Sequence, residues 1–273
     1  MLKIGQIDYA NCTPLFTQLR EEFPCTGYEF ITGVPAALNS MLLAGTIDVC
    51  PSSSIEYAYH PERYSIVPEL SISSSGPVAS VLLFSTVPIE KLDGCHIRLS
   101  SESATSVNLL KILLALRYNC QCSFETAVAG GAVIDSTVAA LLLIGDAALR
   151  ASQEMAAGQF VYDLGELWFA WTSLPFVFAL WLCRNEIAEK TELTELARQL
   201  VIAKEHVPAR LEDIVEGAPE TAWMGKERLL SYWKDNISYD LDERAQAGLR
   251  LYYTRCCECG LIAATPELRF AAH

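Results

Sequence analysis

The chain alternates between two hydrophobic rhythms. Apolar residues alternate with small or polar ones over residues 2–7, which predicts a first strand ending in Asp8-Tyr9-Ala10-Asn11. Helix signals begin at Thr13-Pro14. Val34, Ala37, Leu38, Met41 and Leu42 then fall at i, i+3, i+4, i+7 and i+8, with Pro35 opening and Gly45 closing a predicted helix. Residues 46–50 predict a short strand running into Pro51-Ser52-Ser53-Ser54, and residues 78–84 a buried one. A similar order returns from residue 89. A turn at Leu92-Asp93-Gly94 precedes a strand over 95–99, a small polar loop over 100–103 and a helix over 105–117. An apolar strand over 138–144 meets a turn at Gly145-Asp146 and a helix over 147–157, closed by Gly158. Residues 176–183 read as a returning strand. Helices follow through His206 and over 209–216, 219–235 and 241–262.

Strands alternating with helices predict an α/β chain with mainly parallel sheets and ligands at the carboxyl ends of the strands. Two lobes follow: residues 1–86 with 178–273, and residues 87–177. The two crossings, near 84–87 and 174–178, would form a hinge beneath a central cleft. The helices after the returning strand are extra to that plan.

Composition removes several function classes. Half the residues are apolar (51%), so a core is affordable and the chain is not a disordered one. The most apolar stretch, residues 174–183, is about half the roughly 20 residues a membrane span needs. The N-terminus shows no apolar signal segment, which points to a cytoplasmic setting. The ten cysteines are then expected to be reduced and mostly buried. Cys256, Cys257 and Cys259 contain one C-x-x-C spacing, but no second pair lies nearby, so no metal is expected. A net charge of −13 without a basic stripe argues against nucleic acid as a partner.

Candidate chemistry lies where strands end. Ser100 to Ser106 precedes a strong helix, and Pro51-Ser52-Ser53-Ser54 precedes Ile55-Glu56-Tyr57. Such loops are either ordinary N-caps or anion sites, because free N–H groups and the helix dipole favour negative charge there. Gly76-Pro77-Val78-Ala79-Ser80 is either a strand-start turn or a presentation of one N–H and one hydroxyl to the cleft. Asn11 is a turn former or a contact that both donates and accepts. Asp146, after Gly145, is a cap or a base. None of the four histidines falls in these segments, and no nucleotide or hydrolase motif is present.

Several blocks in order resemble chorismate dehydratases. Gly5-Gln6-Ile7-Asp8-Tyr9-Ala10-Asn11-Cys12-Thr13-Pro14 is similar to that family's G-x-I-x-Y-x-N-x-x-P opening. Pro35 to Asn39, Gly45 to Val49, Ser53 to Ala58, Ile72 to Val81, Ser103 to Leu110, Leu143 to Asp146, Tyr162 to Trp168 and Leu174 to Trp181 resemble its later blocks. Residues 182–273 add little. The resemblance implies a two-lobed periplasmic-binding-protein-like (type II) fold and a cofactor-independent hydro-lyase. Its substrate would be chorismate and its product 3-[(1-carboxyvinyl)oxy]benzoate, at the start of the futalosine route to menaquinone. A sister family of the same fold, 1,4-dihydroxy-6-naphthoate synthase, has a C-P-N-D-rich opening that this chain lacks; a non-catalytic binder of small anions is the other alternative. On this reading Asn11 and Ser80 lie nearest the reacting ring. Thr105 and Ser106, with the Ser106 and Val107 amides, hold a carboxylate. Ser53 and Ser54 line the opposing lobe, and Val78, Gly145 and Asp146 complete the binding set. The base is the substrate's own enolpyruvyl carboxylate or Asp146.

Overall fold

The computed structural model describes residues 1–127, 137–154 and 158–272. β1 (Leu2–Ile7) leads to α1 (Thr13–Glu22), β2 (Tyr28–Gly33), α2 (Pro35–Leu43), β3 (Val49–Ser53), α3 (Ser54–Tyr59) and the long β4 (Tyr64–Ser74). β5 (Val81–Ser85) opens the next region, followed by β6 (His96–Leu99) and by α4 (Ala104–Ile112), which runs on as a π turn. β7 (Ser123–Thr126), β8 (Ala140–Ile144), α5 (Gly145–Ala151), β9 (Phe160–Asp163) and α6 (Leu164–Thr172) complete it. β10 (Phe176–Arg184) returns, and α7 (Thr191–Gly217), α8 (Thr221–Met224), α9 (Lys226–Ser231), a π turn (Tyr232–Asn236), β11 (Ser238–Asp240) and α10 (Glu243–Glu258) end the chain. Among the described residues no helix is long and apolar enough to cross a membrane.

Two sheets carry the lobes. One has the order β11-β4-β10-β3-β1-β2 and the other β7-β6-β8-β5-β9. The expected α/β alternation is present, but the sheets are mixed rather than mainly parallel. β1 is parallel to β2 and β3, and β6 to β7 and β8, whereas β10 and β5 run antiparallel to both of their neighbours. β11 is likewise antiparallel to β4. β5 and β10 are the strands that follow a crossing. Such a strand enters its sheet without the intervening helix that a parallel neighbour requires. Strand pairing also moves the first crossing. β5 belongs wholly to the second sheet, so the chain passes between lobes at residues 75–80, ahead of the expected 84–87. The return falls at residues 173–175, close to its expected place. Ala79 and Ser173, one in each crossing, hold left-handed backbone (φ 59 and 60).

Local expectations hold where burial and periodicity agree. β1 and α2 begin where predicted. β3 starts later than residue 46 and runs through Pro51 to Ser53, paired along its length with β10. β5 starts three residues late, because the amides of Val78 and Ala79 bond to the Asp163 carboxylate instead of a ladder partner (3.0 and 2.6 Å). The predicted break near residue 208 is absent: α7 runs unbroken through Pro208. A proline inside a helix costs about 3 kcal/mol. Leu193, Leu196, Leu200, Val207, Leu211 and Ile214 form its buried face. Full burial of such a side chain contributes roughly 1.5–3 kcal/mol, so the face outweighs the lost bond. The helix expected over 147–157 ends at Ala151, and residues 155–157 lie outside the described residues.

Candidate active site between the lobes

A cavity lies where the carboxyl ends of β1 and β3 meet β8 and the start of α4. Its walls are apolar: Ile7, Ile72, Val78, Ile144 and Phe178. Its polar atoms come from Tyr9, Asn11, Ser53, Ser80, Ser103 and Ser106. No lysine or arginine is among these described lining residues.

Six of the ten sequence-predicted site residues line this cavity: Asn11, Ser53, Val78, Ser80, Ser106 and Gly145. The Asn11 side-chain oxygen is buried and has no hydrogen-bond partner among the described residues. A buried acceptor without a partner is costly. The Asn11 carbonyl accepts a bond from the Tyr239 hydroxyl (2.8 Å), and the Trp233 indole donates to the Ala10 carbonyl (2.8 Å). Ser80 is 2% exposed. Its hydroxyl accepts from Tyr232 (3.0 Å), and its carbonyl accepts from the Gly145 amide (2.7 Å). Ser103 caps α4, accepting from the Ser106 amide (3.3 Å).

The other four lie beside the cavity. Thr105 joins the lobes: its hydroxyl accepts from the Ile55 amide (3.1 Å) and lies 3.4 Å from the Ser54 hydroxyl. Ser54 in turn donates to the Val177 carbonyl (2.8 Å). The α10 tyrosines reinforce this seam, Tyr252 donating to the Thr105 carbonyl (3.1 Å) and Tyr253 to the Ser54 carbonyl (2.6 Å). The Ser106 and Val107 amides bond to the Ser103 side chain and carbonyl, so the amides expected to hold a carboxylate are engaged. Val107 itself lines a neighbouring hollow with Ser100, Ser101 and His60. Asp146 accepts from the Ala10 amide across the cleft (3.0 Å). Burial raises its carboxyl above the ordinary carboxylate value, and the bond from Ala10 opposes that rise.

Sequence reasoning passed over three further features. Tyr9 reaches across the cleft to donate to Glu102 (2.9 Å), and its ring covers Gly145. Asp163 caps α6 through the Glu166 amide (3.1 Å) while holding the Val78 and Ala79 amides of the crossing. The segment from Tyr232 to Tyr239 supports the back of the site. Tyr9 and Asp163 stood within blocks already noted for resemblance; the C-terminal aromatics carried no local signal at all. Cys256 is buried in the core near the end of α10, and among the described residues no group of three or more His, Cys, Asp or Glu is arranged to hold a metal ion.

The sequence matches the menaquinone biosynthesis family over residues 2–258. The chain belongs to that family. A chorismate dehydratase of Thermus thermophilus is 33% identical over 264 residues, covering 91% of this chain and 93% of the relative. A chorismate dehydratase of Campylobacter jejuni is 26% identical over 256 residues, covering 92% and 96%. Among solved structures, a protein of Archaeoglobus fulgidus superposes with a TM-score of 0.77 at 20% identity, covering 96% of this chain and 98% of that one. The periplasmic aliphatic sulphonate binding protein of Escherichia coli superposes at 0.70 and 16% identity, covering 100% and 91%. The fold of this family member is therefore the periplasmic-binding-protein-like one.

Proposed function

We propose that the protein is a chorismate dehydratase, converting chorismate to 3-[(1-carboxyvinyl)oxy]benzoate and water at the start of the futalosine route to menaquinone. The observation that carries this reading is the cavity itself. It joins apolar walls suited to a ring with an unpartnered Asn11 oxygen and a set of serine hydroxyls, in a chain whose named relatives match it almost end to end.

The chemistry fits that lining. The ring proton beside the ether is removed, the bond to the ring hydroxyl breaks, and the hydroxyl and proton leave as water. Aromatisation drives the step, so the protein's work is orientation and support of developing charge. Residues of this lining do not include a strong base. The substrate's enolpyruvyl carboxylate, tethered beside the ring proton, serves instead, since effective molarities of oriented groups reach about 10⁵ M or more. Asn11 orients that carboxylate or the leaving hydroxyl, and Ser80 hydrogen-bonds the leaving hydroxyl. A dianion in an acidic chain is held by the hydroxyls of this lining rather than by cations.

Two variants separate binding from lobe docking. Ser106→Ala should raise the Michaelis constant, at a cost of about 1–3 kcal/mol for a lost bond to a charged group. Thr105→Ala should chiefly lower the unfolding temperature, because its hydroxyl serves Ile55. Equal Michaelis constants for Ser106→Ala and the unaltered chain, measured by steady-state kinetics, would count against this assignment.

Asp146 gives a pH test. Its folded value is raised, so the stability it contributes is present at acid pH and lost as pH rises through that value. Asparagine keeps an acceptor for the Ala10 amide and does not titrate. The melting temperature of the unaltered chain should therefore fall relative to Asp146→Asn between acid and neutral pH, while the variant keeps substantial turnover. A folded Asp146→Asn protein that binds chorismate and turns none over would make Asp146 the base. Turnover of chorismate against the cyclic futalosine substrate of the naphthoate synthases tests the function itself: activity on the second alone would overturn the reading.

A further inference from the structure

The segment from Tyr232 to Tyr239 approaches the cavity from behind and touches both residues assigned to the reaction. Tyr239 and Trp233 fix the carbonyls of Asn11 and Ala10, which sets backbone position. Tyr232 differs, because its partner is a side chain of the cavity wall. Its hydroxyl donates to Ser80 Oγ at 3.0 Å, and Tyr232 and Ser80 are each 2% exposed. We propose that Tyr232 is a positioning residue for the dehydration, its hydroxyl holding one lone pair of Ser80 Oγ so that the Ser80 proton is aimed at the leaving hydroxyl. This rests on the dehydratase reading given above.

A serine hydroxyl has one proton and two lone pairs, and it rotates freely unless a partner stops it. Tyr232 has no other acceptor among the described residues, so its own proton goes to Ser80. Burial raises the Tyr232 phenol far above its ordinary value, which keeps it a neutral donor. With that lone pair taken, the Ser80 proton points away from Tyr232. It is offered to the Val78 carbonyl at 3.3 Å, a long contact that a better acceptor displaces. Donation from Tyr232 also polarises the Ser80 hydroxyl, strengthening the bond it gives. No proton passes between Tyr232 and Ser80; the tyrosine only orients.

A ring that merely filled space would be replaced by phenylalanine without loss, and a merely structural hydroxyl would matter whatever residue stood at 80. Steady-state kinetics on chorismate with Tyr232→Phe, Ser80→Ala and the double variant separates these cases. Tyr232→Phe should lower kcat roughly tenfold, the worth of one oriented hydrogen bond, and leave KM within about twofold. The same change in the Ser80→Ala background should cost nothing further. An equal loss in both backgrounds, or no loss beside an intact Ser80, overturns the proposal while leaving the dehydratase reading in place. Full turnover by Ser80→Ala overturns the proposal and the role given to Ser80, while leaving chorismate dehydration in place; no turnover of chorismate by the unaltered, folded chain overturns the dehydratase reading itself.

Discussion

Replacing Asn11 by alanine is expected to lower chorismate turnover by about 10²-fold or more, the cost of removing one preorganised polar partner from a reacting centre. The Michaelis constant should change far less. The Asn11 side-chain oxygen is buried and has no partner among the described residues, so alanine removes an unsatisfied acceptor and should not weaken the fold. Its backbone is held independently of the side chain, by Tyr239 on its own carbonyl and Trp233 on that of Ala10. Ser80→Ala is expected to act in the same direction. Steady-state kinetics with circular dichroism on each variant checks both halves. An Asn11→Ala protein with unchanged turnover would remove Asn11 from the reaction.

The second large effect is expected from Gly145→Ala, at a cavity-lining residue whose amide bonds to the Ser80 carbonyl (2.7 Å). Gly145 has φ +56, where a side chain costs about 1–2 kcal/mol. A Cβ there would also lie 2.8 Å from the Tyr9 ring. The ring would have to move, and with it the hydroxyl that spans the cleft to Glu102. Displacement of about 1 Å within a reacting geometry costs about 10²-fold in rate, so loss of turnover should exceed what the lowered stability explains. Gly145→Ala with Tyr9→Ala restores space for the Cβ but not the backbone angle. If that double variant is as stable as Tyr9→Ala alone, the left-handed backbone is not the constraint.

The fold was legible wherever periodicity and burial coincide, as in β1, α2, β8 and α10. β4 was missed because Pro68 and Glu69 interrupt it; Glu69 is left-handed (φ 62), and the register against β10 shifts there, with Leu180 opposite Ser71 and Leu182 opposite Ile66. A bulge of that kind reads locally as a turn. The direction of β5 and β10 was hidden for a different reason, since alternation along a strand carries no record of its neighbour's direction. Strand ends with small polar residues pointed to Asn11, Ser53, Ser80 and Ser106. The same cue also picked out Ser54 and Thr105, whose hydroxyls bond across the lobes in this structure, because a helix cap and a ligand contact use the same residues. Tyr232, Trp233 and Tyr239 were invisible as site residues. Their sequence separation from Ala10, Asn11 and Ser80 is large, and only the packing of the C-terminal segment brings them there.

The central claim is tested most directly by following chorismate with purified, chelator-treated protein by proton nuclear magnetic resonance. The account predicts that the ring signals of chorismate give way to those of an aromatic ring still carrying its enolpyruvyl ether, with Asn11→Ala and Ser80→Ala converting it far more slowly. Folded protein that binds chorismate and leaves its spectrum unchanged would contradict it.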